Sequence, residues 1–195
     1  MHLKLLSRLR SKSIQVPGSS MTLRPPAKSD YEKWVTVRRE SEAFLRPWEP
    51  LWPRDDLSEI GYQRRMKAYN QQRLNGWGRT YFLFSENEER LIGGISLTRI
   101  TYRGAKSATL GYWMSVNDAG KGNMKKAVPT LLTYAYKQLG LNRIEAACLP
   151  HNDRSKALLT GCGFQKEGFA REYLEINGIA EDHVLFSKLK ADHIL

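Results

Sequence analysis

The sequence is short of cysteine, of long apolar runs and, at its start, of acid. Among 195 residues only Cys148 and Cys162 carry thiols, with no CxxC and no neighbouring histidine pair. That argues against a disulfide scaffold and a structural zinc site. No metal is expected, and a reducing cytoplasm is the expected setting. Uninterrupted apolar runs stop at four residues, as in YFLF (81–84) and AACL (146–149). A membrane-crossing helix needs about 18 or more, so no span is expected. Residues 1–29 hold no Asp or Glu but six cations: Lys4, Arg8, Arg10, Lys12, Arg24 and Lys28. The whole chain carries 31 basic against 20 acidic side chains, a formal +11. Such an excess suits an acidic partner: nucleic acid, a phosphorylated cofactor or a ribosomal particle.

What is present reads as one domain. Residues 1–19 are expected to be a basic, mobile leader. Leu3, Leu6 and Leu9, beside Lys4, Arg8 and Lys12, are spaced for a basic amphipathic helix on binding. The domain proper is expected over 20–195, as an α/β or α+β fold with a mixed sheet. MTLR (21–24) reads as a first strand, and Ser29 with Glu32 as a capping box opening a helix near 30–45. Asp56 with Glu59 repeats that pattern for a helix to about 74. Between them FLRPWEPLWP, with three prolines and two tryptophans, predicts a packed loop without regular structure. Strands follow near 80–85, 90–101 (turned at Asn87-Glu88-Glu89) and 108–116. A helix over 122–139 should kink at Pro129. The chain closes with a strand (143–149), a helix (152–162) and two strands (166–176, 179–189) joined by Asn177-Gly178.

Two strand-to-helix junctions carry the chemistry. In NDAGKGN (117–123), Gly120 and Gly122 allow a tight backbone before a helix whose first N–H groups lack partners. Such groups and the helix dipole favour phosphate oxygens, and Lys121, Lys125 and Lys126 add charge there. By itself this Gly-x-Gly is equally an ordinary turn, and it completes neither a Walker A loop nor a GxGxxG fingerprint. In LPHNDRSKALLTGCGF (149–164), Asn152 is placed to cap a helix, Ser155 sits on its first turn, and Gly161 and Gly163 end it. An ordinary capped helix would read the same way.

Together the two junctions, in this order, resemble the GNAT superfamily of acyl-CoA N-acyltransferases. Within it the chain is similar to the RimJ type, the ribosomal-protein-alanine N-acetyltransferases. The matching stretches are FLRPWEP (44–50), LGYWM (110–114), GKGNM (120–124), PHNDRS (150–155), GFQKEGFAREYLEING (163–178) and EDHVL (181–185). The resemblance covers about 21–190. It implies a mixed, mostly antiparallel sheet that splays into a V between the strands at 108–116 and 143–149, with acetyl-CoA in the opening. Backbone groups of Met114 and Val116 would hold the pantetheine amides. Gly120, Lys121, Gly122, Asn123 and Met124 would hold the pyrophosphate, and Asn152 the pantetheine arm. Ser155 is the implied proton donor to the departing CoA thiolate.

The acceptor is constrained by proton chemistry. A terminal α-amine of pKa ~8 is about 10% neutral at pH 7, a cost of about 1.4 kcal/mol; a lysine amine of pKa ~10.4 costs about 4.6 kcal/mol. Many GNAT enzymes carry a glutamate on the strand before the cofactor loop, but ATLGYWMSV (108–116) has no carboxylate. That favours an α-amine acceptor. Glu49 is the first candidate for contacting the acceptor ammonium or for a water-relayed base; a surface glutamate is the alternative. Trp48, Tyr112, Trp113 and Tyr173 are candidate pocket walls, with core packing as the alternative for each. His183, Cys148 and Cys162 read as structural.

The function expected is acetylation of an N-terminal alanine of a ribosomal protein by direct transfer in a ternary complex. The leader and Arg64, Arg65, Lys67 and Arg73 would touch rRNA or a ribosomal subunit electrostatically, with an ordinary solvated face as the alternative for the helix charges. The expected state is a monomer or weak dimer. Alternatives are a small-molecule amine as acceptor, or a ribosome-associated assembly factor whose acetyl-CoA site is vestigial.

Overall fold

A computed structural model describes residues 13–85 and 89–193. The helix expected around Leu3–Leu9 and most of the turn at 87–89 lie outside them. Eight strands form one sheet among the described residues: β1 (Ile14–Gln15), β2 (Thr22–Arg24), β3 (Arg79–Ser85), β4 (Arg90–Thr98), β5 (Ser107–Met114), β6 (Arg143–Cys148), β7 (Gln165–Ile176) and β8 (Ile179–Leu189). Their order is β1-β2-β3-β4-β5-β6-β8-β7. Every pairing is antiparallel except β5 with β6. Among the described residues five α-helices flank it: α1 (Tyr31–Glu40), α2 (Glu42–Leu45), α3 (Glu59–Leu74), α4 (Asn123–Lys137) and α5 (Asp153–Gly161). None of them is long and apolar enough to cross a membrane.

Side-chain alternation along the strands divides the core in two. In β3, Tyr81 and Leu83 join a large cluster with Leu131, Leu132 and Ile144. Phe82 and Phe84 turn the other way, into a cluster with Trp34, Tyr62 and Met66 of α1 and α3. The short apolar run YFLF is thus a strand buried on both faces.

The sheet begins inside the segment read as leader, because Ile14 pairs with Leu23 and Val16 is fully buried. The first expected helix is split: a 3-10 turn (Lys28–Asp30) leads into α1, and Ser41 separates α1 from α2. Ser29 does not cap it. Instead Asp30 accepts from the Ala27 N–H at 2.7 Å while Arg24 grips it in a bidentate pair. The cap of α3 is Ser58, whose Oγ accepts from the Gly61 N–H at 3.0 Å; Asp56 pairs with Arg65 at 2.6 Å. Pro47 tolerates a 3-10 turn at Arg46–Trp48, so the proline-rich loop is not wholly irregular. Pro129 leaves α4 unbroken. Having no N–H, it leaves the Lys125 carbonyl without its helical donor, and the Cys162 thiol faces that oxygen at 3.9 Å.

Candidate active site

The parallel pairing of β5 and β6 lasts only three residues, ending at Thr109 opposite Glu145. Beyond it β5 runs on to Met114 and β6 to Cys148 without pairing to each other, which is the V-shaped opening. The Ser115 N–H donates to the Ile92 carbonyl at 2.8 Å, which sets the phase of the ladder with β4. Odd-numbered residues of β5 exchange bonds with β4, so the backbone groups of Tyr112 and Met114 face the gap. Val116 lies past the strand. Its N–H donates to Ser41 Oγ at 3.0 Å, so a ligand reaching Val116 meets its carbonyl.

The loop into α4 is shaped by glycine. Gly120 and Gly122 both sit at φ 78°, in the left-handed region, and Gly122 occupies the N-cap of α4. A Cβ at either would touch nothing within 4 Å, so backbone conformation rather than space requires glycine. No side chain caps the helix. The N–H groups of Asn123, Met124 and Lys125 therefore project from its start, the arrangement that receives phosphate oxygens. Met124 is buried and offers only backbone, whereas Lys121, Lys125 and Lys126 are exposed. Beneath the loop Asp118, 2% exposed, accepts two hydrogen bonds from Arg90 at 2.8 and 3.0 Å. Lys121 approaches the same carboxylate at 3.7 Å.

Across the gap, Asn152 caps α5 by accepting the Ser155 N–H at 3.0 Å. Ser155 Oγ lies 2.6 Å from the Tyr112 hydroxyl, joining α5 to β5. Burial pushes the Tyr112 phenol well above its ordinary pKa. Burial likewise raises the Cys148 thiol, an effect that a hydrogen bond from Ser155 opposes. Both cysteines are buried free thiols.

Glu49 is not a free carboxylate. Arg38 donates to its two oxygens at 2.8 and 2.5 Å, and Trp52 Nε1 donates at 2.8 Å. The Arg38 guanidinium, itself nearly buried, stacks 4.0 Å from the Trp52 ring and 5.2 Å from Trp113. These bonds tie Glu49 to the shape of its loop. Trp113 faces away from Tyr112, edge-on to Phe82 with ring centres 6.3 Å apart. Trp48 rests against His151, next to Asn152, at 5.5 Å. Tyr173 packs on the buried His183 ring at 5.8 Å, and Arg99 donates to its hydroxyl at 3.4 Å.

Sequence reasoning missed three contacts here: Ser41 with Val116, Arg90 with Asp118, and Tyr112 with Ser155. Each joins residues 28 to 75 positions apart, which no local pattern reports. Two of the cations singled out on α3 are ion-paired within the chain. Arg64 is paired with Asp55, and Arg65 with Asp56 while stacking 5.3 Å from Trp34.

A splayed sheet, an uncapped glycine-led helix and an Asn-capped helix beside the gap define a site for a long phosphorylated donor. Residues 20–165 match the Acetyltransferase (GNAT) domain family, and the chain belongs to it. It is 34% identical over 176 residues to the "Probable N-acetyltransferase YjcK" of Bacillus subtilis, covering 90% of this chain and 97% of that protein. It is also 34% identical over 146 residues to the "[Ribosomal protein uS5]-alanine N-acetyltransferase" of Escherichia coli, covering 75% of each. Among solved structures, "Mycobacterium smegmatis RimJ in complex with CoA-disulfide" superposes with TM-score 0.85 at 26% identity, over 92% of this chain and 87% of that one. The protein is thus an acetyl-CoA-dependent N-acetyltransferase, related to enzymes that modify ribosomal proteins.

Proposed function

We propose that the protein acetylates the α-amine of a polypeptide beginning with alanine or a similarly small residue, most naturally a ribosomal protein. The observation that carries this reading concerns the base: β5 contributes no carboxylate, and Glu49 is held by Arg38 and Trp52. An acceptor that is already about one-tenth neutral at pH 7 asks least of such a site. The relation to the Escherichia coli alanine N-acetyltransferase supports the same choice.

In this reading the pantetheine lies along β5, against the gap-facing backbone of Met114 and the Val116 carbonyl. The pyrophosphate sits on the first N–H groups of α4, in the loop Gly120, Lys121, Gly122, Asn123 and Met124. Asn152 borders the arm while holding Ser155. Trp48 and Tyr173 wall the acceptor side, and Trp113 supports the wall from behind. The neutral amine attacks the thioester carbonyl within the ternary complex: the C–N bond forms, the C–S bond breaks, and the nitrogen's surplus proton ends on sulfur or solvent. Ser155 donates a hydrogen bond to the departing thiolate. Holding amine and carbonyl together supplies much of the acceleration.

Intact-mass measurement of ribosomal proteins from cells with and without the gene tests the assignment. One N-terminus should lose an acetyl group when the gene is absent. An unchanged set of masses would contradict it.

A further inference from the structure

Tyr112 and Ser155 come from opposite walls of the opening, one from β5 and one from the helix that follows β6. Their oxygens are 2.6 Å apart, so one hydroxyl must donate to the other. A phenol is the more acidic hydroxyl and the better donor. If Tyr112 donates, the proton of Ser155 cannot lie along that line and must point elsewhere. The backbone of Ser155 is held as well, because its N–H is fixed on Asn152 Oδ1. The serine's backbone and one side of its hydroxyl are then held, and its proton is left for the Cys148 sulfur beside it or for an acceptor in the gap.

We propose that Tyr112 is a positioning residue, whose phenol donates to Ser155 Oγ and so aims the serine's proton into the gap at the departing sulfur. This rests on the reading of Ser155 given above. Tyr112 is not itself the source of the transferred proton: burial disfavours its phenolate, and a thiol titrates far lower than a phenol held that way. The attacking nitrogen's surplus proton ends on sulfur or solvent, and the dyad lowers the energy of the thiolate until then. Before the thiolate forms, that of Ser155 has the neighbouring Cys148 sulfur as an acceptor, and the departing thiolate, being an anion, is the stronger acceptor that draws it into the gap.

The test is a double-mutant cycle of Tyr112→Phe and Ser155→Ala in the full chain. It reads kcat, the acetyl-CoA KM and the acetyl-CoA Kd by calorimetry. Phenylalanine keeps the ring that packs against the large core cluster. Tyr112→Phe should lower kcat about tenfold, the scale of one oriented hydrogen bond to a charge, with KM and Kd within about twofold. Ser155→Ala should lower it at least as much, and the double variant no further than Ser155→Ala alone. Losses that multiply, an unchanged kcat in Tyr112→Phe, or a defect confined to KM and Kd would overturn the proposal. Because the dyad acts on the donor, the cycle is run with whichever amine the wild-type chain acetylates. Failure of the N-terminal assignment is thereby kept separate. A fully active Ser155→Ala would instead remove the role given to the serine.

Discussion

Arg38 and Glu49 form a bidentate ion pair that fastens α1 to the loop after Trp48, with the guanidinium 4.0 Å from the Trp52 ring centre and 5.2 Å from that of Trp113. Removing the charge of Glu49 leaves a nearly buried cation uncompensated. Glu49→Gln should therefore lower unfolding stability by about 2 kcal/mol, read as a fall in the urea midpoint at unchanged slope. An unchanged midpoint with lost activity would instead make Glu49 a group that serves the acceptor directly.

Gly122→Ala places a Cβ at φ 78° in open space, so its penalty is conformational, about 1–2 kcal/mol. Relief of that strain moves the first N–H groups of α4. The acetyl-CoA Kd should rise several-fold while kcat at saturating donor changes little. Calorimetric titration with acetyl-CoA checks the first and steady-state kinetics the second; a loss of kcat alone would place the loop's role in the chemical step.

Glu167 lies on β7 where Arg143 of β6 and Ser187 of β8 both donate to it. These bonds hold its carboxyl at about 2, below the ordinary 4.5. A depressed carboxyl stabilises the fold above about pH 4.5, and that contribution disappears as pH falls toward 2. The wild-type chain should exceed Glu167→Gln in urea midpoint at pH 6, and the gap should close between pH 4.5 and 2. The carboxylate is well exposed, so the gap at pH 6 is small. A gap independent of pH would assign it to packing.

Local patterns carried most of the architecture. Alternation in 108–116 and the Asn177-Gly178 turn predict β5 and the β7–β8 hairpin because each is encoded within a few neighbouring residues. The glycines at 120 and 122 likewise mark their own backbone conformation. The α1–α2 break was hidden because Ser41 is buried against Val116, a tertiary contact with no local sign. The caps shifted for a related reason: Asp56 pairs with Arg65 rather than capping α3, and Asp30 holds Arg24 as well as the Ala27 N–H. Glu49 looked available in sequence because its partner Arg38 lies eleven positions away, across the break at Ser41 and the turn at Arg46–Trp48.

The most direct test is acetylation of one alanine-initiated peptide in two forms, one with a free α-amine and one with that amine blocked but a lysine retained. Product mass and rate are measured from pH 6 to 9. The expected result is a single acetyl group on the free α-amine, with kcat/KM rising with pH and levelling near the amine pKa of about 8, and no product from the blocked peptide. Rapid turnover of a small amine or of the lysine, with the free N-terminus left untouched, would contradict it.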